Sequence, residues 1–410
     1  MTGSRILRPA AALATAATAA TVLLGPAPTA AADPALPTPY LLPTPHLLPL
    51  PPNAAGTSTL AALNNAGDVL GECYLNAPNQ FAPRALRWNA HHLGYTALEP
   101  LPGEAGTRPG AMNASGVAVG VSFGTVTDNH PVRWAADGTP TALELPAGAR
   151  GGGAYGINDA GVVSGYSYDA VFRSVPVKWR ADGTRVALPL LDDDDTGSTT
   201  FINDAGYVLG WSERRLSGEP RTRTVIWSPS GDVTALPLPP GIAAAGARGI
   251  TDAGLILGAG QREGSTDVDR VVVWAADGTV RDIGYGRPSS VNSANTIAGA
   301  AFDAAHSQHA ARWGPDGTQT LLSGPAGKQS TATGINDVGT TVGFAEGPDW
   351  QHSTALLWRH DGTAVSLPPS PLSPYAQASL VNDAGVIAGH AIQPGVAGQP
   401  TLPRAMVWKR

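Results

Sequence analysis

The chain has 410 residues, a formal charge of −6 and only 14 % charged residues. That balance gives no basic face for displacing counterions from nucleic acid, and no polybasic stretch for a membrane surface. With a single cysteine, Cys73, an internal disulfide is excluded, so packing and topology must hold the fold.

The N-terminus reads as an export signal over residues 1–32. Arg5 and Arg8 precede an apolar run from Ala10 to Gly25, and Ala30-Ala31-Ala32 supplies the small residues of a cleavage site. Cleavage is expected after Ala32. The run is short and Ala-rich, which argues against a membrane anchor. The mature protein is therefore expected to be secreted, without membrane insertion, and monomeric. Residues 33–45 form a Pro-rich linker, and 46–410 form the folded domain.

One phrase then recurs eight times, centred on Asn64, Asn113, Asn158, Asn203, Thr251, Asn292, Asn336 and Asn382. The spacing runs from 41 to 49 residues, and the shortest step is Thr251 to Asn292. Each copy is followed by a tryptophan: Trp88, Trp134, Trp179, Trp227, Trp274, Trp313, Trp358 and Trp408. A second turn, such as Asp137-Gly138 or Asp361-Gly362, follows most of them. In the first copy His91-His92 stands where that turn should be, and the sequence offers no reason. Each repeat reads as four short strands, as in "STATGIN", "TTVGFA", "TALLW" and "AVSLP" of the seventh copy. Asn and Asp can bond the backbone two residues on, and Gly can take positive φ, so both turns have a mechanism.

Four-stranded repeats of about 45 residues predict an all-β fold, an eight-bladed β-propeller. A parallel β-helix is the alternative, but its coils lack tight antiparallel hairpins. The last repeat has only three strands before Arg410. The segment "HLLPLPP", His46 to Pro52, resembles the fourth strands "TALPLPP" and "AVSLPPS", so it is expected to complete the last blade. The repeat tryptophans are expected to fill the wedges between blades.

The phrase "GINDAG" followed by a short strand ending in Trp resembles the HAF-repeat family of probable extracellular repeat proteins. His309-Ala310-Ala311-Arg312-Trp313, Thr354 to Trp358 and Arg404 to Trp408 match best, although no literal His-Ala-Phe occurs. The resemblance covers nearly the whole mature chain. It implies a repeat architecture and export, and no catalytic residues.

The uniform "NDAG" and "ADGT" turns should lie on one face of a propeller, and the long, varied loops on the other, where binding is expected. The ligand-binding candidates are Trp211, Trp350, His352, His390, Arg214 and Arg215. Trp211, with Tyr166, Phe344 and His390 at matching positions, is expected near the channel mouth. Arg214 and Arg215 belong to an Arg-rich group, with Arg221, Arg223 and Arg262, that could meet an anionic ligand such as a uronic acid, but the interspersed Glu213, Glu219, Glu263 and Asp267 make a mixed, salt-bridged surface the plainer reading. In "LDDDDTGSTTFIN", Asp192 and Asp194 sit at the first and third positions of a calcium-loop pattern, but Asn203 replaces the twelfth-position Glu. A solvated acidic loop is the plainer reading, and no cofactor is required. No metal-helix, nucleophile-elbow or phosphate-loop motif is present. Three classes of function follow. A binding module for an extracellular glycan or protein is preferred to a propeller enzyme, a polysaccharide hydrolase or lyase, and to a purely structural surface protein.

Overall fold

The computed structural model describes residues 42–77, 80–124, 129–215, 219–347, 352–393 and 402–409. The export segment, most of the linker and Trp350 lie outside the described residues. No helix among the described residues is long and apolar enough to cross a membrane.

The fold is all-β and propeller-like, built of antiparallel sheets. Repeats 1, 2, 3, 4 and 7 each give a four-stranded sheet whose strand order follows the chain. In repeat 7 the strands are Gln329–Ile335, Thr341–Glu346, Ser353–Trp358 and Ala364–Ser366. Repeat 8 contributes Ala376–Val381, Ile387–Gln393 and Leu402–Lys409, and its fourth strand is Thr44–Leu47 from the other end of the chain. Thr44 pairs with Lys409 and Leu47 with Met406. The strand starts earlier and stops sooner than the sequence reading of His46 to Pro52, because Pro49, Pro51 and Pro52 have no N–H to donate.

Repeats 5 and 6 differ from the rest. The 12-residue strand Val280–Val291 pairs through its first half with Val268–Trp274 and through its second half with Ile297–Phe302. It serves as the last strand of one repeat and the first of the next, fusing both into one seven-stranded sheet. The 41-residue spacing has this cause: no linking loop intervenes.

The recurring phrase proves to be an inter-repeat clasp. In repeat 7 the Asn336 side-chain oxygen accepts from Thr340 N (2.7 Å), and Gly339 at φ +81° closes the turn. The freed Asn336 amide donates to the carbonyl of Asn382 in the next repeat (2.9 Å). The same bond runs from Asn64 to Asn113 (3.3 Å), Asn113 to Asn158 (3.2 Å), Asn158 to Asn203 (3.1 Å) and Asn203 to Thr251 (3.0 Å). It continues from Asn292 to Asn336 (2.9 Å) and from Asn382 to Asn64 (3.0 Å). Thr251 has no amide, and its hydroxyl meets the Asn295 side-chain oxygen instead (3.2 Å). A parallel set of bonds uses the Asp, as in Asp337 N to Asp383 Oδ1 (2.8 Å).

Every pairing of a first with a second strand carries a register shift at the same place, for example between Pro109 and Ala111 and between Ala247 and Gly249. The bulge bends the first strand and re-aims one residue. The repeat tryptophans are buried, as expected, and Trp88, Trp134, Trp227, Trp274 and Trp408 each lie against a second-strand glycine. A Cβ on Gly71 would lie 2.9 Å from the Trp88 ring and 2.0 Å from Thr59 O, so only glycine fits. The indole N–H then donates to a carbonyl in the Leu-Pro link of the preceding repeat: Trp179 to Glu144 O (2.8 Å), Trp358 to Ser323 O (2.6 Å) and Trp408 to Pro368 O (2.7 Å). Trp313 Nε1 is buried without a partner, because its link is absent. In the first repeat Leu93, at φ +53°, takes the place glycine holds elsewhere, and Asn89 Oδ1 accepts from the N–H groups of His91 (3.0 Å) and His92 (3.2 Å). This explains the departure at His91-His92.

Candidate functional site

A groove of about 570 Å3 opens between repeats 4 and 5. Its wall on repeat 4 carries Trp211, from the strand Val208–Arg214, with Thr222, Arg223, Leu236 and Leu238. Its wall on repeat 5 is the strand Ile242–Ile250, "IAAAGARGI". Ala243, Ala244, Ala245 and Gly246 are too small to fill the space facing the indole, so the space stays open. Arg248 is the extra residue of the bulge between Ala247 and Gly249, and it turns into the groove. A second cavity of about 580 Å3 shares Arg248, Ala259 and Val268 with the first and extends to Arg287 on the Val280–Val291 strand.

The three guanidinium groups have different partners. Arg223 is held by Asp194 Oδ2 (2.8 Å) and by the carbonyl of Asp192 (3.3 Å). The Arg287 guanidinium lies 5.2 Å from the Phe302 ring centroid. Arg248 makes no hydrogen bond or ion pair among the described residues. The arrangement offers a flat aromatic face, apolar walls and two exposed cations.

A smaller cavity of about 420 Å3 lies between repeats 2 and 3, lined by Arg108, Phe123, Tyr155 and Tyr166. The Tyr155 and Tyr166 rings stack on each other at 5.1 Å. Burial and the Tyr155 hydrogen bond push the Tyr166 phenol well above its ordinary value. These rings are engaged mainly with one another.

The expected site residues disperse. Trp211 lines the groove. Trp350 lies outside the described residues. His352 packs edge-on against Tyr375 at 4.5 Å. The His390 imidazole is largely buried, its Nε2 has no partner, and burial pulls its pKa down to about 4. Arg214 Nε donates to Glu219 O (3.1 Å), and Arg215 N meets the Asp195 carboxylate (3.3 Å). Asp194 is committed to Arg223 and Ser212 (2.6 Å), Thr196 to Ser174 O (3.0 Å) and Asn203 to the inter-repeat clasp. His309 bonds within its own hairpin to Asp303 (3.0 Å), and His306 meets Tyr285 of the Val280–Val291 strand (3.2 Å). Among the described residues no three His, Cys, Asp or Glu side chains gather into a metal-ion cluster.

Arg248, Arg287 and Leu238 escaped the sequence reading. Their signal was an arginine inside a strand of alanine and glycine, and one just ahead of a turn phrase.

No family model and no curated protein matches the chain. Solved structures do. A puromycin hydrolase matches with a TM-score of 0.51 at 15 % identity, over 85 % of this chain and 61 % of its own. Dipeptidyl peptidase 4 of Porphyromonas gingivalis matches at 0.52 and 10 %, over 83 % and 58 %. A streptogramin B lyase matches at 0.45 and 13 %, over 89 % and 96 %. The chain thus spans about three fifths of the length of the hydrolase and the peptidase. At these identities the likeness is one of fold, a β-propeller type.

Proposed function

We propose that the chain is a secreted, non-catalytic binding module: a closed eight-bladed β-propeller that takes an extracellular glycan in the groove between repeats 4 and 5. The observation that carries the glycan reading is the Trp211 indole facing an alanine-lined groove with polar groups at its rim. Sugar rings stack their apolar faces on aromatic planes while their hydroxyls seek polar groups, and this groove supplies both. The likeness to solved structures supports the fold alone. Closure is supported by the Thr44–Leu47 strand on the last repeat and by the Asn382 amide on Asn64 O. Export is supported by the N-terminal sequence, and membership of the HAF-repeat family by the turn phrases.

Titrating a panel of neutral and acidic oligosaccharides while following tryptophan fluorescence tests the reading. Binding should appear for at least one member and fall at least tenfold in Trp211→Ala, with folding intact. Binding that survives Trp211→Ala unchanged overturns the groove as the site. Turnover of a bound sugar overturns the non-catalytic assignment.

A further inference from the structure

We infer that the groove's occupant is an anionic oligosaccharide, lying from Trp211 past Arg248 to Arg287. This rests on the glycan reading above and adds the charge of the ligand. Two cavities, of about 570 and 580 Å3, adjoin at Arg248, Ala259 and Val268, so lining residues of repeats 4, 5 and 6 lie along one stretch of surface. A single monosaccharide would leave most of it empty.

Charge decides the class. The chain carries 32 acidic against 26 basic residues, yet Arg248 and Arg287 are both exposed and neither forms a hydrogen bond or ion pair among the described residues. Asp267, on the rim of the second cavity, is the carboxylate facing them. Phe302 lies 5.2 Å from the Arg287 guanidinium, whose N–H groups make no hydrogen bond among the described residues. A guanidinium edge matches a carboxylate or sulfate in bidentate geometry. Two such edges in adjoining cavities, with a stacking ring at one end, match a sugar chain whose acid groups repeat.

The test uses the full chain and calorimetric titration with a galacturonate hexamer and its methyl ester, which keeps the rings and removes the charge. The acid form should bind at least tenfold more tightly than the ester. Arg248→Gln and Arg287→Gln should each weaken the acid about tenfold, as expected for one charge-assisted contact, and leave the ester unchanged. The unfolding temperature of Arg248→Gln should match the parent, because that side chain has no partner to lose, while Arg287→Gln gives up its Phe302 ring contact and should fall only slightly. A sulfated hexasaccharide showing the same arginine dependence supports the anionic class and names the acid group. Equal binding of acid and ester, or unchanged acid affinity in both variants, overturns the inference, while a loss in Trp211→Ala would still uphold the glycan reading. If the parent binds none of these probes, the anionic inference falls, and the neutral members of the oligosaccharide panel decide the glycan reading.

Discussion

The side-chain amide of Asn382 donates to the backbone carbonyl of Asn64, 3.0 Å away and 318 positions earlier. The contact is the one every other Asn in the series makes with its successor, so the last repeat treats the first as its next neighbour. Asn65 and Asp383 repeat the arrangement, with Asn65 Nδ2 on Asp383 Oδ2 at 2.7 Å.

Asn382→Ala should therefore destabilise the fold by about 1–3 kcal/mol, because it removes one of the two donors to the Asn64 carbonyl, which keeps Gly67 N (3.1 Å), and leaves the buried Val386 N without its acceptor. The urea midpoint measures this. A midpoint equal to the parent's would mean the clasp contributes nothing.

Two chemically identical substitutions should differ. Trp358→Phe removes the donor to Ser323 O (2.6 Å), whereas Trp313→Phe removes an indole N–H that has no partner. Trp358→Phe should cost about 1 kcal/mol more than Trp313→Phe. Parallel denaturant titrations decide it, and equal losses would contradict the assignment.

His390 should make stability depend on pH. Burial lowers its pKa from 6.5 to about 4, so between these values the unfolded chain binds a proton that the folded chain does not. Stability is full above pH 6.5 and falls as pH drops toward 4, by up to about 3 kcal/mol. In His390→Gln that slope should flatten. A slope identical to the parent's in this window would rule out His390 as its source.

Cys73 is buried and its thiol is pushed up to about 11 by burial, so the reactive thiolate is scarce at neutral pH. Alkylation at pH 8 should be negligible in the native protein and rapid in denaturant. Fast labelling of the native protein would show that the contact between the first and last repeats opens readily.

The periodic parts of the molecule were legible in its sequence. Asn336 and Trp358 recur in register because each does the same job in its repeat, and the segment around His46 resembled a fourth strand because it is one. The groove was illegible for the opposite reason. It arises where Trp211 of one repeat meets the alanines of the next, and no local pattern records that meeting. His390 was expected near the mouth with Trp211, and the lack of a partner for its buried Nε2 left no mark in the sequence. Asp194 reads as part of a solvated acidic loop with a calcium-like spacing, and its ion pair with Arg223, 29 positions on, left no local mark in the sequence.

The shared strand Val280–Val291 also bears on how such a chain can grow. Elsewhere a loop separates one sheet from the next and can lengthen without disturbing either. Within Val280–Val291, one inserted residue would turn all the side chains beyond it to the opposite face of the sheet. Repeats 5 and 6 thus share one register, and Arg248 and Arg287 sit on strands of the same seven-stranded sheet.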